Sequence, residues 1–337
     1  MNRLIANIDK YSVLLVATIV IASILPVYGQ GAKAVEWASR IAITALFFLH
    51  GSKLSRSSII GGFLHWKLHF TVVSFTFLAF PILGLIAYAL AGPILTPDFA
   101  SGLLFLTLLP STVQSSIAFT AMAGGNVSAA ICAASLSNLI GIALTPVLVG
   151  LLMSSSGGGG ISLEGVQTIV FQLLLPFIAG HLARPLIGGF VDGHKKLVMM
   201  VDRGSILLIV YAAFSAAVVE GLWHKAPVWQ VGVLALFSLV MLMIVLLLTH
   251  LASRLLHFSA PDTAAVVFAG SKKSLASGVP IAGALFPASM VGGIILPLMI
   301  FHQLQLLACA IIAQRMRRAS TGPAAIPTTP AGEAAPV

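Results

Sequence analysis

Two adjacent lysines pose the first chemical question in this sequence. Lys272 and Lys273 hold the tenth and eleventh positions of a 24-residue, otherwise largely apolar stretch at 263–286. At a rise of about 1.5 Å per residue they lie about 14 Å from its start, close to mid-depth if the stretch spans a bilayer. A charged lysine there costs about 2.5–3.5 kcal/mol on insertion scales, so such residues face a cavity or a partner. Beside them are Gly270, Ser271, Ser274, Ser277 and Gly278. A second polar group, Ser111, Thr112, Gln114, Ser115 and Ser116 behind Pro110, interrupts the apolar stretch 100–124. Hydroxyls, amides and ammonium groups suit an anion, met by lysine and by the positive N-terminal ends of half-helices. An alternative from a different class is an intramembrane hydrolase, with Ser271 or Ser274 as nucleophile and its neighbouring lysine as base. Adjacent side chains diverge by about 100° around a helix, which argues against that dyad.

The acids sharpen the picture. They are Asp9, Glu36, Asp98, Glu164, Asp192, Asp202, Glu220, Asp262 and Glu333, and each falls at an expected span end, in a loop or in a tail. Cation pathways commonly carry intramembrane Asp or Glu, and none is expected here. His65 and His69 have the i, i+4 spacing of a metal pair but no acid or cysteine beside them, so no metal site is expected. His302, with Gln303 and Gln305, falls in the last apolar stretch and is a candidate cavity residue. The four glycines at 157–160 lack the lysine and the strand–helix context of a phosphate-binding loop.

These residues need elements to position them, and composition decides which kind. The 337 residues are 58% hydrophobic and 8% charged, against about 25% charged in ordinary soluble domains. So few charges cannot cover a soluble globule of this size, which leaves the bilayer as its solvent. The net charge of +9 therefore does not read as nucleic-acid binding, and Cys132 and Cys309, both in apolar runs, do not read as a disulfide framework. Ten stretches are apolar enough to span: 11–28, 36–51, 68–90, 100–124, 127–153, 166–187, 204–222, 228–256, 263–286 and 290–314. The first also has features of a signal peptide, with 32–34 as a cleavage-like site. Its length and its place in the repeat favour a retained helix.

With the N-terminus in the cytoplasm, the cytoplasmic segments hold thirteen of the eighteen basic residues and the opposite side three. That bias predicts both termini inside. The segments 53–67 and 188–203 mix bases with Trp, Phe, Leu and Met, and suit short helices lying in the membrane interface. Pro110 and the 270–278 segment each interrupt the fourth span of a five-span unit. Odd-numbered units make the second copy inverted, and matched interrupted helices point to the site of a secondary transporter. The expected architecture is an all-α integral membrane protein of ten transmembrane helices in two inverted five-helix repeats, 1–156 and 157–318. A disordered tail follows at 319–337.

Five blocks carry a resemblance: 109–120 (LPSTVQSSIAFT), 125–152 (GNVSAAICAASLSNLIGIALTPVLVGLL), 172–185 (QLLLPFIAGHLARP), 202–215 (DRGSILLIVYAAFS) and 270–282 (GSKKSLASGVPIA). In these the sequence resembles the bile acid:sodium symporter family, in its SBF-like branch. The resemblance implies a panel domain packed on a core domain, with the two broken helices crossing in the core. It implies a carrier of small organic anions, bile-acid-like or other carboxylate or sulfate, in a bacterial inner membrane. By position it places a sodium site near Ser115, Ser116 and Ser135, with the glutamate of sodium-coupled members replaced by an uncharged residue at Phe268. Lys272 stands roughly where those members carry Gln. Two readings of coupling follow: sodium, or a proton-linked or uncoupled carrier in which a lysine ammonium takes the ion's place. The expected substrate and ion region is Gln114, Ser115, Ser116, Ser135, Asn138, Lys272, Lys273 and Ser274, with Pro110, Gly270 and Gly278 permitting the breaks. No cofactor is expected beyond the candidate sodium ion; the expected partners are the anion and membrane lipid.

Overall fold

The structure is a computed structural model and describes residues 10–53, 65–153, 169–225 and 227–320. Among these residues every regular element is helical. In chain order, α1 is Lys10–Ile24, α2 Gly29–Lys53, α3 Trp66–Ala91, α4 Pro97–Thr107, α5 Val113–Met122 and α6 Val127–Met153. Then come α7 Leu175–Gly193, α8 Lys195–Val219, α9 Val228–Leu255, α10 Ala260–Gly270, α11 Leu275–Leu285 and α12 Ala288–Ser320. A π turn, Phe75–Ala79, lies inside α3, and another, Ile169–Leu174, leads into α7.

Length and composition qualify six helical segments to cross a membrane: those of α3, α6, α7, α8, α9 and α12. The helices α4, α5, α10 and α11 have 10 or 11 residues each. At about 1.5 Å per residue each is roughly half of a 30 Å hydrocarbon core. Each pair is a single apolar stretch broken in the middle, and the breaks have local causes. Pro110 has no N–H to donate to the fourth preceding carbonyl, and Gly270-Ser271 ends α10 with Ser271 outside helical geometry (ψ 0). The next half-helix is restarted by Ser274, whose hydroxyl accepts from the Ser277 N–H at 3.1 Å, an N-cap.

The helices α1, α2, α7 and α8 pack on one another, with α2 against α7 and α8, and α1 against α8. The helices α3 to α6 and α9 to α12 form the other group, in which α10 packs on α5, α6 and α9, and α4 on α3 and α12. The groups meet where α8 packs on α11 and α12 and where α2 touches α11. Helix α2 meets α7 through two glycines that face each other's backbone. A Cβ on Gly51 would overlap the carbonyl oxygen of Phe177, and one on Gly180 that of Phe48. In a bilayer such small-residue contacts bring helices together by close packing.

Three expectations change here. The segment 188–203 is no separate interfacial helix: Gly188–Gly193 closes α7, and α8 runs without a break from Lys195. His194, with φ −113 and ψ 42, makes the only non-helical step between them, so the second helix simply begins earlier than its apolar stretch. Helix α2 likewise begins at Gly29 and contains 32–34. Gly278 does not mark a break but sits inside α11, where a Cβ would crowd Leu298 at 2.6 Å and overlap Leu109. Its smallness serves packing. The segment 54–64, the glycines at 157–160, the division at 156 and the residues from 321 onward lie outside the described residues.

Candidate functional site

The two interruptions meet. The Ser274 N–H donates to the carbonyl of Pro110 at 2.9 Å, and Thr112 Oγ1 donates to the carbonyl of Lys273 at 2.8 Å. Ser111 Oγ donates to Ala269 O, and Ser116 Oγ to Phe268 O at 2.9 Å. Helix α6 ties the junction from the side. Ser137 Oγ accepts from the Ser111 N–H at 3.0 Å, and Thr145 Oγ1 donates to Leu108 O at 2.8 Å. Asn138 reaches both breaks: its Nδ2 donates to Ser111 O at 2.7 Å, and its Oδ1 accepts from Ser277 Oγ at 2.9 Å. Backbone freed by a broken helix must find partners when it is buried, and this web supplies them.

The lysines part company at the break. Both side chains are fully buried. Lys273 Nζ donates to the carbonyls of Thr76, Thr107 and Leu109 at 2.8, 2.7 and 2.8 Å. It also lies 4.1 Å from the centroid of the Phe80 ring. Its backbone is held by Gln305 of α12, whose Oε1 accepts from the Lys273 N–H at 3.0 Å and whose Nε2 donates to its carbonyl at 3.1 Å. Lys272 Nζ turns the other way. It has no hydrogen-bond partner among the described residues and lies 3.7 Å from the centroid of the Phe119 ring, a cation–π position.

A cavity of 560 Å³ opens beside this junction. One wall carries Pro110, Thr112, Gln114, Ser115, Ser135, Asn138, Ser274 and Ser277 from the broken helices and α6. The opposite wall carries Tyr11, Phe47, His50, Lys53, Asp202 and Arg203 from α1, α2 and α8, and α12 adds His302. Gln114, Ser115, Ser135, Asn138 and Ser274 are therefore brought to one space, with Ser115 Oγ lacking a partner. Ser116, Gly270, Lys272 and Lys273 do not line it. Ser116 spends its hydroxyl on Phe268 O, and Gly270 lies under the Thr249 methyl group. The Ser–Lys pairing is also not formed. Ser271 Oγ donates to Val267 O and Ser274 Oγ to Ser277 Oγ at 3.0 Å, while Lys273 Nζ is taken by carbonyls.

Asp202 corrects the reading of the acids. It lies in the second turn of α8, buried at the cavity wall rather than in a separate interfacial segment. Its Oδ2 accepts from Lys53 Nζ at 3.0 Å, and its Oδ1 is 3.4 Å from His50 Nε2. The Arg203 guanidinium stands 4.9 Å over the Tyr11 ring. No local pattern announces this cluster, because Lys53 and Asp202 are 149 residues apart. The carbonyl cage around Lys273 was equally invisible, since backbone oxygens carry no residue-type signal.

Comparison with known proteins places the chain in a family. Residues 9–318 match the model of the SBF-like CPA transporter family (DUF4137). An uncharacterized protein of Pseudomonas aeruginosa is 51% identical over 310 residues, covering 92% of this chain and 93% of that one. The Escherichia coli K12 protein "Putative symporter YfeH" is 49% identical over 317 residues, covering 94% and 95%. The zebrafish sodium/bile acid cotransporter 7 is 26% identical over 292 residues, covering 84% of each chain. With its apolar spanning helices and its family-wide match, the chain is a multi-pass membrane protein and not an enzyme; it belongs to the SBF-like CPA transporter family.

Proposed function

We propose that the protein is a secondary carrier that moves a small organic anion across a bacterial inner membrane by alternating access, with both termini cytoplasmic. The observation that carries this reading is the 560 Å³ cavity walled jointly by the two helix breaks and by α1, α2 and α8. A site shared by two packed groups is exposed to one side or the other when one group rocks against the other. In this reading α1 to α6 and α7 to α12 are the two inverted five-span repeats, the broken pairs α4/α5 and α10/α11 being the fourth span of each.

The anion is recognised from both walls. Gln114, Ser135 and the free hydroxyl of Ser115 offer hydrogen bonds, while Lys53 and Arg203 supply positive charge, with Asp202 orienting Lys53. The buried lysines do not touch the substrate. Ser115 and Ser135 face the cavity, and a coupling sodium there would have to share that space with the anion.

The test is uptake by purified protein in liposomes, using taurocholate and simple carboxylates and sulfonates, each with sodium or choline outside. A carrier gives saturable uptake and counterflow when unlabelled anion is preloaded. Unsaturable flux without counterflow would make the protein a channel.

A further inference from the structure

Lys273 points to an ion requirement that its own side chain meets. Its nitrogen donates to three carbonyl oxygens at 2.7–2.8 Å. Three donations to acceptor-only atoms need three N–H bonds, which only the charged ammonium has. No ion pair among the described residues includes it. A fully buried cation is thus held by backbone dipoles and one aromatic face, with no carboxylate. Rings of carbonyl oxygens are also how proteins replace the hydration shell of a small monovalent cation. The cage is built for the purpose from two elements. Thr107 and Leu109 present carbonyls at the negative C-terminal end of α4, and the π turn of α3 presents that of Thr76.

We infer that the Lys273 ammonium is a tethered cation filling a monovalent-cation site formed by the carbonyls of Thr76, Thr107 and Leu109. The junction of the broken helices is therefore complete in charge without a bound metal ion, and removing the ammonium opens the site to a free one. This rests on the carrier reading only for its consequence, that no metal cation needs to bind at this junction for transport.

Thermal unfolding of the full-length protein in detergent tests it, with sodium, potassium, ammonium or choline chloride at matched ionic strength. The wild type should melt at the same temperature in all four. Lys273→Ala should melt several degrees lower in choline and regain at least half of the loss in sodium, potassium or ammonium, saturably. Lys273→Met, which fills the space without charge, should lose stability and regain none. Equal melting of Lys273→Ala in all four salts overturns the proposal, as does recovery of Lys273→Met. If Lys273→Ala does not fold in any salt, the wild type still decides: a rise in its melting temperature in sodium over choline that survives Ser115→Ala and Ser135→Ala shows a cation site that Lys273 does not fill and overturns the proposal. Because the readout is stability, these results are independent of whether the liposome assay finds a transported anion.

Discussion

The two breaks lie in contact and solve one problem by different chemistry. Where α10 stops, its last carbonyls are taken by hydroxyls: Ser271 on Val267 O, Ser116 on Phe268 O and Ser111 on Ala269 O. Where α4 stops, Leu108 O receives the Thr145 hydroxyl, but Thr107 O and Leu109 O receive the ammonium of Lys273. The first break is closed by several neutral donors, each replaceable in part by its neighbours. The second depends on one charged atom that comes from the other break. Each interruption is thus repaired by residues of its counterpart, and neither half of the junction is complete alone.

Substitutions can break this comparison, beginning with the largest effect. Lys273→Met strands three buried carbonyls at once. At about 1–3 kcal/mol for each buried group left unsatisfied, the loss should reach about 3 kcal/mol or more, read as a lower melting temperature in detergent. Ser111→Ala and Ser116→Ala each remove one hydroxyl and should cost about 1–2 kcal/mol. Their double variant should still fall short of Lys273→Met; a double variant that matched it would erase the distinction between the breaks. Gln305→Leu leaves the Lys273 N–H without its acceptor but spares its carbonyl, which Thr112 still serves, so about 1 kcal/mol is expected. Lys272→Met should have the smallest effect on stability, unchanged or slightly raised. Its nitrogen has no acceptor to lose, and the methionine retains contact with Phe119. A large loss there would show that the aromatic face holds Lys272 more firmly than Lys273 is held by its carbonyls.

Much of this junction was legible in the chain. Pro110 and the 270–274 segment announced both interruptions through known backbone effects, and the two lysines stood out because charge at that depth is expensive. Side-chain direction was not legible. A helix break resets the angular relation between neighbours, so no helical wheel could say that Lys273 would enter the carbonyl cage while Lys272 turned to Phe119. Gly278 misled for a related reason: glycine loosens a helix in isolation, whereas here Leu109 and Leu298 press on it inside an intact one. Asp202 was placed outside the spans, in the segment 188–203, because apolar content defined them, and α8 begins nine residues before its apolar stretch. Charged first turns are where hydropathy and helix boundaries part.

The glycines at the α2–α7 contact bear on mechanics. Gly51 and Gly180 lie 129 positions apart in the chain, one in each proposed repeat, and each rests on the other helix's backbone. Backbone seated on backbone leaves no side-chain layer to slide or repack. Helices α2 and α7 must therefore travel as one piece, whatever displacement the cavity undergoes. In the carrier reading, the line of flexing cuts across the two proposed repeats rather than between them.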